Sequence, residues 1–314
     1  MTFSFTTLGT ASALPTVERY PSAHILTVRE RFFLIDCGEG TQIQIKRAGI
    51  SFTRIDNIFI SHVHGDHIFG LPGLLSTMSL MGRTAPVFIY GPSAFKPYLD
   101  FFISYLGDGI AFPVNFTPVS CKEPSMLVEF NNVEIFAFPL RHKIETYGYF
   151  FREKEPALNI RKEKIEAYNL TYYEMARLKE GRNVEREDCV LEVEELTYKP
   201  YEPRCFAYCS DTMPFTKLAD WLCELSQYRK LDLLYHEATY DASDKELARK
   251  HFHSTAADAA VCALKCNAGK LVLGHYSSRY RNTDKILEDA RAVFPETYCA
   301  KEGDVFDIPV SRLL

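Results

Sequence analysis

At 314 residues, 46% of them hydrophobic, the chain can bury a large core as one α/β domain or two similar halves. Its formal net charge of −5 excludes a general electrostatic pull on nucleic acid, so RNA would have to be held by local basic groups. Nine cysteines without a C-x-x-C pair read as reduced thiols. No basic, apolar leader and no run of about 18 apolar residues is present, which excludes a membrane span and points to the cytoplasm. In chain order, Phe3 to Leu8 reads as a strand and Ala23 to Ile35 as a hairpin turning at Arg29 to Arg31. A helix is predicted from Glu39 to Arg47, with Gly49 as its stop. Asp36, just before it, is either an outer partner of a metal-binding histidine or a helix cap.

Asn57 to Ile60 is a short buried strand, and directly after it stand His62, His64, Asp66 and His67. Imidazole and carboxylate are the donors that zinc takes at roughly 2.0 to 2.2 Å. An alternating His-x-His aims two rings the same way in extended chain, while Asp66 and His67, past Gly65, can turn towards a second ion. The set is incomplete, so further His and Asp are expected downstream.

Gly70 to Gly73 opens a Leu- and Met-rich helix, Pro86 to Tyr90 is a strand and Ala94 to Leu106 a helix. The strand Val133 to Pro139 delivers His142. From about 150 to 204 the chain is charge-dense and weakly patterned, read as an inserted arm of two short helices on a stalk or as a solvated loop. Regularity returns with strands Cys205 to Cys209, ending at Asp211; Leu231 to Tyr235, ending at His236 and Glu237; and Lys270 to Leu273, ending at His275. Helices are predicted at Leu218 to Leu225, from the capping box at Ser254 to Asp258 through Cys266, and at Lys285 to Val293.

Ligands in α/β folds gather beyond one edge of a sheet, so these strand-end residues are expected to converge. His62, His64 and His142 then hold one zinc, Asp66, His67 and His275 the other, and Asp211 bridges them. Paired ions favour phosphoryl hydrolysis, with Asp66 placed as general base. Glu237 with His253 suits the acid that protonates a leaving group, although His253 also fits a phosphate contact or an ordinary cap neighbour. His236 reads as structural or as an outer partner, His24 and His251 as surface or packing.

The stretches FTTLGTASALP, FLIDCGEGTQIQ, SHVHGDHIFGLPGLLS, LRHKIETYGY, SDT, HEATY, HSTAADAA and HYSSRY resemble the metallo-β-lactamase superfamily, and within it the ribonuclease Z family of tRNA 3′-processing endoribonucleases. The resemblance spans nearly the whole chain. It implies a single domain over 1–314, an αββα sandwich with an inserted flexible arm at about 150–204, two zinc ions per subunit and a homodimer. By resemblance the ligands are His62, His64, His142 and Asp211 for one zinc, and Asp66, His67, Asp211 and His275 for the other. Asp66 matches the proton acceptor, and Glu237 and His253 match positions of phosphate handling and proton donation. The implied reaction cuts precursor tRNA after the discriminator nucleotide, leaving a 3′-hydroxyl on the tRNA and a 5′-phosphate on the trailer.

The arm departs from the family, with Asn169-Leu170-Thr171-Tyr172-Tyr173-Glu174 where many relatives carry Gly-Pro. Arg161, Lys162, Lys164, Arg177, Lys179 and Arg182 remain as its phosphate contacts. In PTVERY Arg19 remains from the family's loop near the RNA 3′ end, but Val17 and Tyr20 do not match it, so weak rejection of CCA-bearing tRNA is expected. The alternative is a small-molecule phosphodiesterase or 3′ exoribonuclease of the same fold. A di-iron oxidoreductase is disfavoured by His64, where such sites carry an acidic residue.

Overall fold

The computed structural model describes residues 1–312, and of Asp108 the backbone alone. Its long strands, in chain order, are β1 Phe3–Gly9, β2 Ala23–Val28, β3 Arg31–Cys37, β4 Ile55–Phe59, β5 Val87–Pro92, β6 Val114–Val119, β7 Ser125–Glu129, β8 Val133–Pro139, β9 Tyr147–Glu153, β10 Cys205–Cys209, β11 Leu233–Glu237, β12 Leu271–Gly274, β13 Thr297–Cys299 and β14 Val305–Asp307. They form two seven-stranded sheets, β14-β1-β2-β3-β4-β5-β6 and β13-β12-β11-β10-β9-β8-β7. The helices are α1 Thr41–Arg47, α2 Gly65–Ile68, α3 Leu71–Leu80, α4 Lys96–Leu106, α5 Lys162–Ala167, α6 Tyr172–Lys179, α7 Val193–Leu196, α8 Lys217–Leu225, α9 Lys245–His251, α10 Ala256–Lys265 and α11 Asp284–Arg291.

Strand periodicity explains the layering. In β3, Phe33 and Ile35 join the aromatic cluster between the sheets, while Leu34 between them packs with residues of α1, α3 and α4 on the outer side. In β10, Phe206 and Tyr208 face inward, whereas Cys205, Ala207 and Cys209 pack with residues of α8, α10 and α11. The inner strands of each sheet are thus buried on both faces, as continuous apolar strands demand. The result is the αββα sandwich of the metallo-β-lactamase fold. In the second sheet β10, β11 and β12 run parallel, so their C-terminal ends share one edge.

Two compact units are distinguishable. One, Met1–Arg152 with Cys205–Ile308, holds both sheets; the other is Glu153–Arg204 with the residues from Pro309 on. The second unit has its own apolar cluster of Ile160, Leu170, Leu178, Leu191 and Leu196. Three helices, α5 to α7, and two two-stranded ribbons surround it, a richer structure than two helices on a stalk. Its first and last long-segment residues, Glu153 and Arg204, form a buried, two-pronged ion pair at 2.8 Å.

Some predicted boundaries differ: the strand expected over Leu231 to Tyr235 runs Leu233–Glu237, so His236 and Glu237 lie within it rather than after it. Helix α1 starts at Thr41 rather than Glu39 because Gly40, its N-cap, sits at φ 81 in the left-handed region. The turn expected past Gly65 is a one-turn helix, Gly65–Ile68, with His64 as N-cap, and it presents Asp66 and His67.

Candidate metal centre

Each expected donor lies just beyond the end of a strand. His62, His64, Asp66 and His67 follow β4, His142 follows β8, Asp211 follows β10 and His275 follows β12 directly. His275 stands at φ 60 and Asp36 at φ 56, conformations that cost a non-glycine residue about 1–3 kcal/mol each. Such strain persists only where the surroundings over-determine it. The loop that follows Asp36 and β3 also packs tightly here, because a side chain at Gly38 would come within 2.4 Å of the Asp66 carbonyl oxygen.

These residues meet. His62, His64, His142 and Asp211 offer one donor atom each within 4.8 Å of one another, and Asp66, His67 and His275 do the same. The two oxygens of Asp211 face different groups. Oδ2 lies 3.5 Å from His62 Nε2 and 3.8 Å from His142 Nε2, while Oδ1 lies 3.5 Å from His67 Nε2 and 3.2 Å from His275 Nε2.

Hydrogen bonds behind the rings set which nitrogen is free. His67 Nδ1 donates to Asp36 Oδ2 at 2.9 Å, and His142 Nδ1 donates to the Phe252 carbonyl at 2.9 Å. Ser61 Oγ gives its proton to Asp36, so it accepts from His62 Nδ1 at 3.0 Å. Thr239 Oγ1 gives its proton to Glu237 and so accepts from His275 Nδ1 at 2.9 Å. Four Nε2 lone pairs therefore point inward, and His64 Nδ1 joins them, 3.0 Å from His62 Nε2 and 3.3 Å from His142 Nε2.

Electrostatics and hydrogen bonding both call for a cation in this space. Burial, reinforced by neighbouring imidazoles, drives His62 well below its ordinary pKa and keeps its lone pair available. Burial opposes charge on His67 as well, but Asp66, Asp211 and Asp36 outweigh it and raise that ring to about 10. Burial would push Asp66 up, yet His67 and His275 hold it well below the carboxylate range. The buried Asp211 Oδ1 has no hydrogen-bond partner. Inward lone pairs, an orphan carboxylate oxygen and a donor set of imidazole and carboxylate fit a bound metal ion.

Beside the centre, Glu237 Oε1 accepts from His253 Nδ1 at 3.0 Å and from the Ser254 amide at 2.9 Å. Burial disfavours both charged groups, but their mutual attraction wins, with Glu237 lowered to about 2 and His253 raised to about 9. The Thr255–Asp258 capping box opens α10 immediately after His253.

A comparison with known proteins follows the same lines. Ribonuclease Z from Bacteroides thetaiotaomicron is 39% identical over 306 residues, covering 96% of this chain and 94% of its own. The chain belongs to the ribonuclease Z family. Ribonuclease Z from Porphyromonas gingivalis is 36% identical, with 98% and 99% coverage. Among solved structures the short form of human tRNase Z superposes with a TM-score of 0.69 at 27% identity, over 98% of this chain and 99% of that one. Residues 3–153 also match the family described as Anti-Pycsar protein Apyc1.

The remaining predicted residues are placed as follows. Asp36 is the outer partner of His67 rather than a cap of α1, whose Gly40 has no side chain. His24 is fully buried between Phe5, Tyr208 and Tyr235, and burial lowers its pKa to about 3. His236 donates to the Glu237 carbonyl at 2.7 Å. Arg19 donates to the Tyr280 carbonyl at 2.9 Å with its guanidinium over the Tyr276 ring. In the second unit Lys164 pairs with Glu195 at 2.6 Å, Arg182 with Glu180 at 3.6 Å, and Arg161 lies over the Tyr198 ring. Lys162 and Lys179 are exposed and Arg177 half-buried.

Sequence reasoning missed the walls of the cleft. A cavity of about 720 Å³ opens over the metal centre, lined also by Leu14, Phe69, Lys143, Tyr240 and His251. His251, expected at the surface or in packing, is part of this lining. The signal for it was its spacing of two from His253, which in a turn-and-cap segment brings both rings to one opening.

Proposed function

We propose that this chain is a metal-dependent endoribonuclease that removes the 3′ trailer from precursor tRNA, cutting after the discriminator nucleotide. The inward convergence of seven donor side chains on one cleft, in a chain of the ribonuclease Z family, carries the reading. Two zinc ions are part of the proposal: His62, His64, His142 and Asp211 would hold one, and Asp66, His67, His275 and Asp211 the other. When bound, paired divalent ions furnish a nucleophile at neutral pH and neutralise charge that develops on the phosphate.

The side chains divide the remaining work. Asp66 Oδ2, fixed by the Ala13 amide at 2.7 Å, stays ionised and orients or accepts a proton from the attacking water. His253 is protonated at neutral pH, and because Glu237 holds its Nδ1, its Nε2 is left to give a proton to the departing ribose O3′. Departure of O3′ leaves the hydroxyl on the tRNA and the phosphate on the trailer. A homodimer in the cytoplasm, with Glu153–Arg204 as a tRNA-binding arm, completes the proposal. No helix among the described residues is long and apolar enough to cross a membrane.

Incubation with a 3′-extended tRNA, with the cut mapped before and after chelation, tests this. Cleavage after the discriminator that chelator abolishes and zinc restores is the expected outcome, and Asp211→Ala lowers both metal content and rate by at least roughly a hundredfold. A precursor left whole while a small phosphodiester is turned over would reassign the enzyme to the alternative reaction.

A further inference from the structure

The two flanks of the cleft differ in chemistry. Around His142 the lining is basic, with the Lys143 ammonium and the protonated His253 beside the His251 ring. Around Asp66 the lining includes Leu14, Pro15 and Phe69, with Ser12 and Glu39 as its polar members. The Ala13 amide binds Asp66, which brings Leu14 to this flank, and Phe69 follows Asp66 by three positions, about one helical turn.

Phe69 stands out within that flank. It is 61% exposed, although it opens onto an otherwise polar centre. A single exposed phenylalanine on a convex surface would call for no explanation. This one lines a cavity, and it is held there: a Cβ at Gly65 would come within 2.2 Å of ring atom Cε2 and 2.6 Å of Cζ, so the ring lies against the bare backbone of Gly65. No aromatic ring among the described residues stacks on it. The packing fixes the ring's position and leaves part of its surface open, where an isolated apolar group is worth little without a flat partner.

We propose that Phe69 is the stacking platform for a nucleobase flanking the scissile phosphate, and that it makes the cleft select RNA over diesters without a base. The inference rests on the endoribonuclease reading. Its occupant follows from the cleft: a phosphate at the metal centre meets cationic side chains on one flank, and its attached nucleoside meets the ring on the other. Aromatic platforms take any base, because every base has a π-face, so Phe69 sets substrate class rather than sequence.

The test uses full-length Phe69→Ala and Phe69→Trp proteins on a precursor tRNA and on two copies made abasic, one at the discriminator and one at the first trailer nucleotide. Phe69→Ala should lose roughly tenfold or more in kcat/KM on the intact precursor, the size expected of one lost base stack. Phe69→Trp should keep the rate. The loss from Phe69→Ala should vanish on one of the abasic precursors, which identifies the stacked nucleotide. Equal cleavage of the intact precursor by Phe69→Ala and unmodified protein overturns the inference. So does a loss of the same size on all three substrates, with reduced metal content or a changed elution volume, since the ring would then support the helix or a subunit contact. Unmodified protein that fails to cut the intact precursor fails the endoribonuclease reading instead.

Discussion

Asp36 shows what a single residue can carry. Its carboxylate accepts from the Ser61 amide at 2.7 Å, Ser61 Oγ at 2.8 Å, Tyr208 at 2.7 Å and His67 at 2.9 Å. Asparagine tolerates the left-handed backbone but replaces one acceptor oxygen with a donor, so one side of this network must face a repelling N–H. Asp36→Asn should therefore weaken metal binding by roughly 10- to 100-fold, read by competition with a chromogenic chelator, and excess metal should recover much of the activity. Unchanged affinity would reduce Asp36 to a packing role. The same residue marks a limit of sequence reading. An Asp two positions before Gly38 and five before a helix has the pattern of a cap, and only the fold brings it to His67. The donors of SHVHGDH were legible because their types and spacing have few other uses. Phe69, two positions past that stretch, carries no such chemical signature.

At the scale of elements, the strands that are legible are those whose residues are mostly apolar and buried or half-buried. Cys205 to Cys209 matches its expected bounds because an uninterrupted apolar run between polar ends has one economical explanation, and Val133 to Pro139 matches because Glu134 is the one polar residue in it. The neighbouring edge strands β6 and β7 escaped notice because most of their residues are exposed or half-buried and offer no such run. Helix α6 is one of the short helices expected in the arm, but its bounds are not legible because charge density masks its capping box at Thr171 and Glu174. Arg186 grips that same carboxylate through Nε at 2.7 Å and Nη2 at 2.9 Å. The hydrogen bond from Arg186 lowers Glu174 from 4.5 to about 2. A carboxyl whose folded pKa is depressed gives its full stabilisation above the unfolded value and loses it as pH falls through the folded one. Protection of the α6 amides from hydrogen exchange should therefore be constant above about pH 4.5 and decline from there towards about pH 2. Glu174→Gln should raise local opening about tenfold at neutral pH and flatten that dependence. Identical pH profiles in the two proteins would show that the cap, without its charge, holds the helix.

At the scale of the whole sandwich, the centre sits where two layers could otherwise part. His62, His64, Asp66 and His67 belong to the loop after β4 of the first sheet, whereas His142, Asp211 and His275 follow strands of the second. A cation held by both sets is a cross-link between sheets, and its binding free energy is folding free energy. The aromatic layer between the sheets, including the Tyr208–Tyr235 stack at 4.9 Å, supplies adhesion without any ion. Chelation should thus soften the fold without dissolving it. With free metal at about a thousand times its Kd, linkage contributes about 4 kcal/mol, and for a unit of this size that corresponds to a fall in Tm of roughly 5–15 °C when the metal is stripped. Zinc should restore the Tm, and Asp211→Ala, whose carboxylate faces both donor sets, should show little difference between stripped and loaded samples. Stripped and loaded protein melting together, with metal loss verified by elemental analysis, would mean that apolar adhesion alone joins the layers.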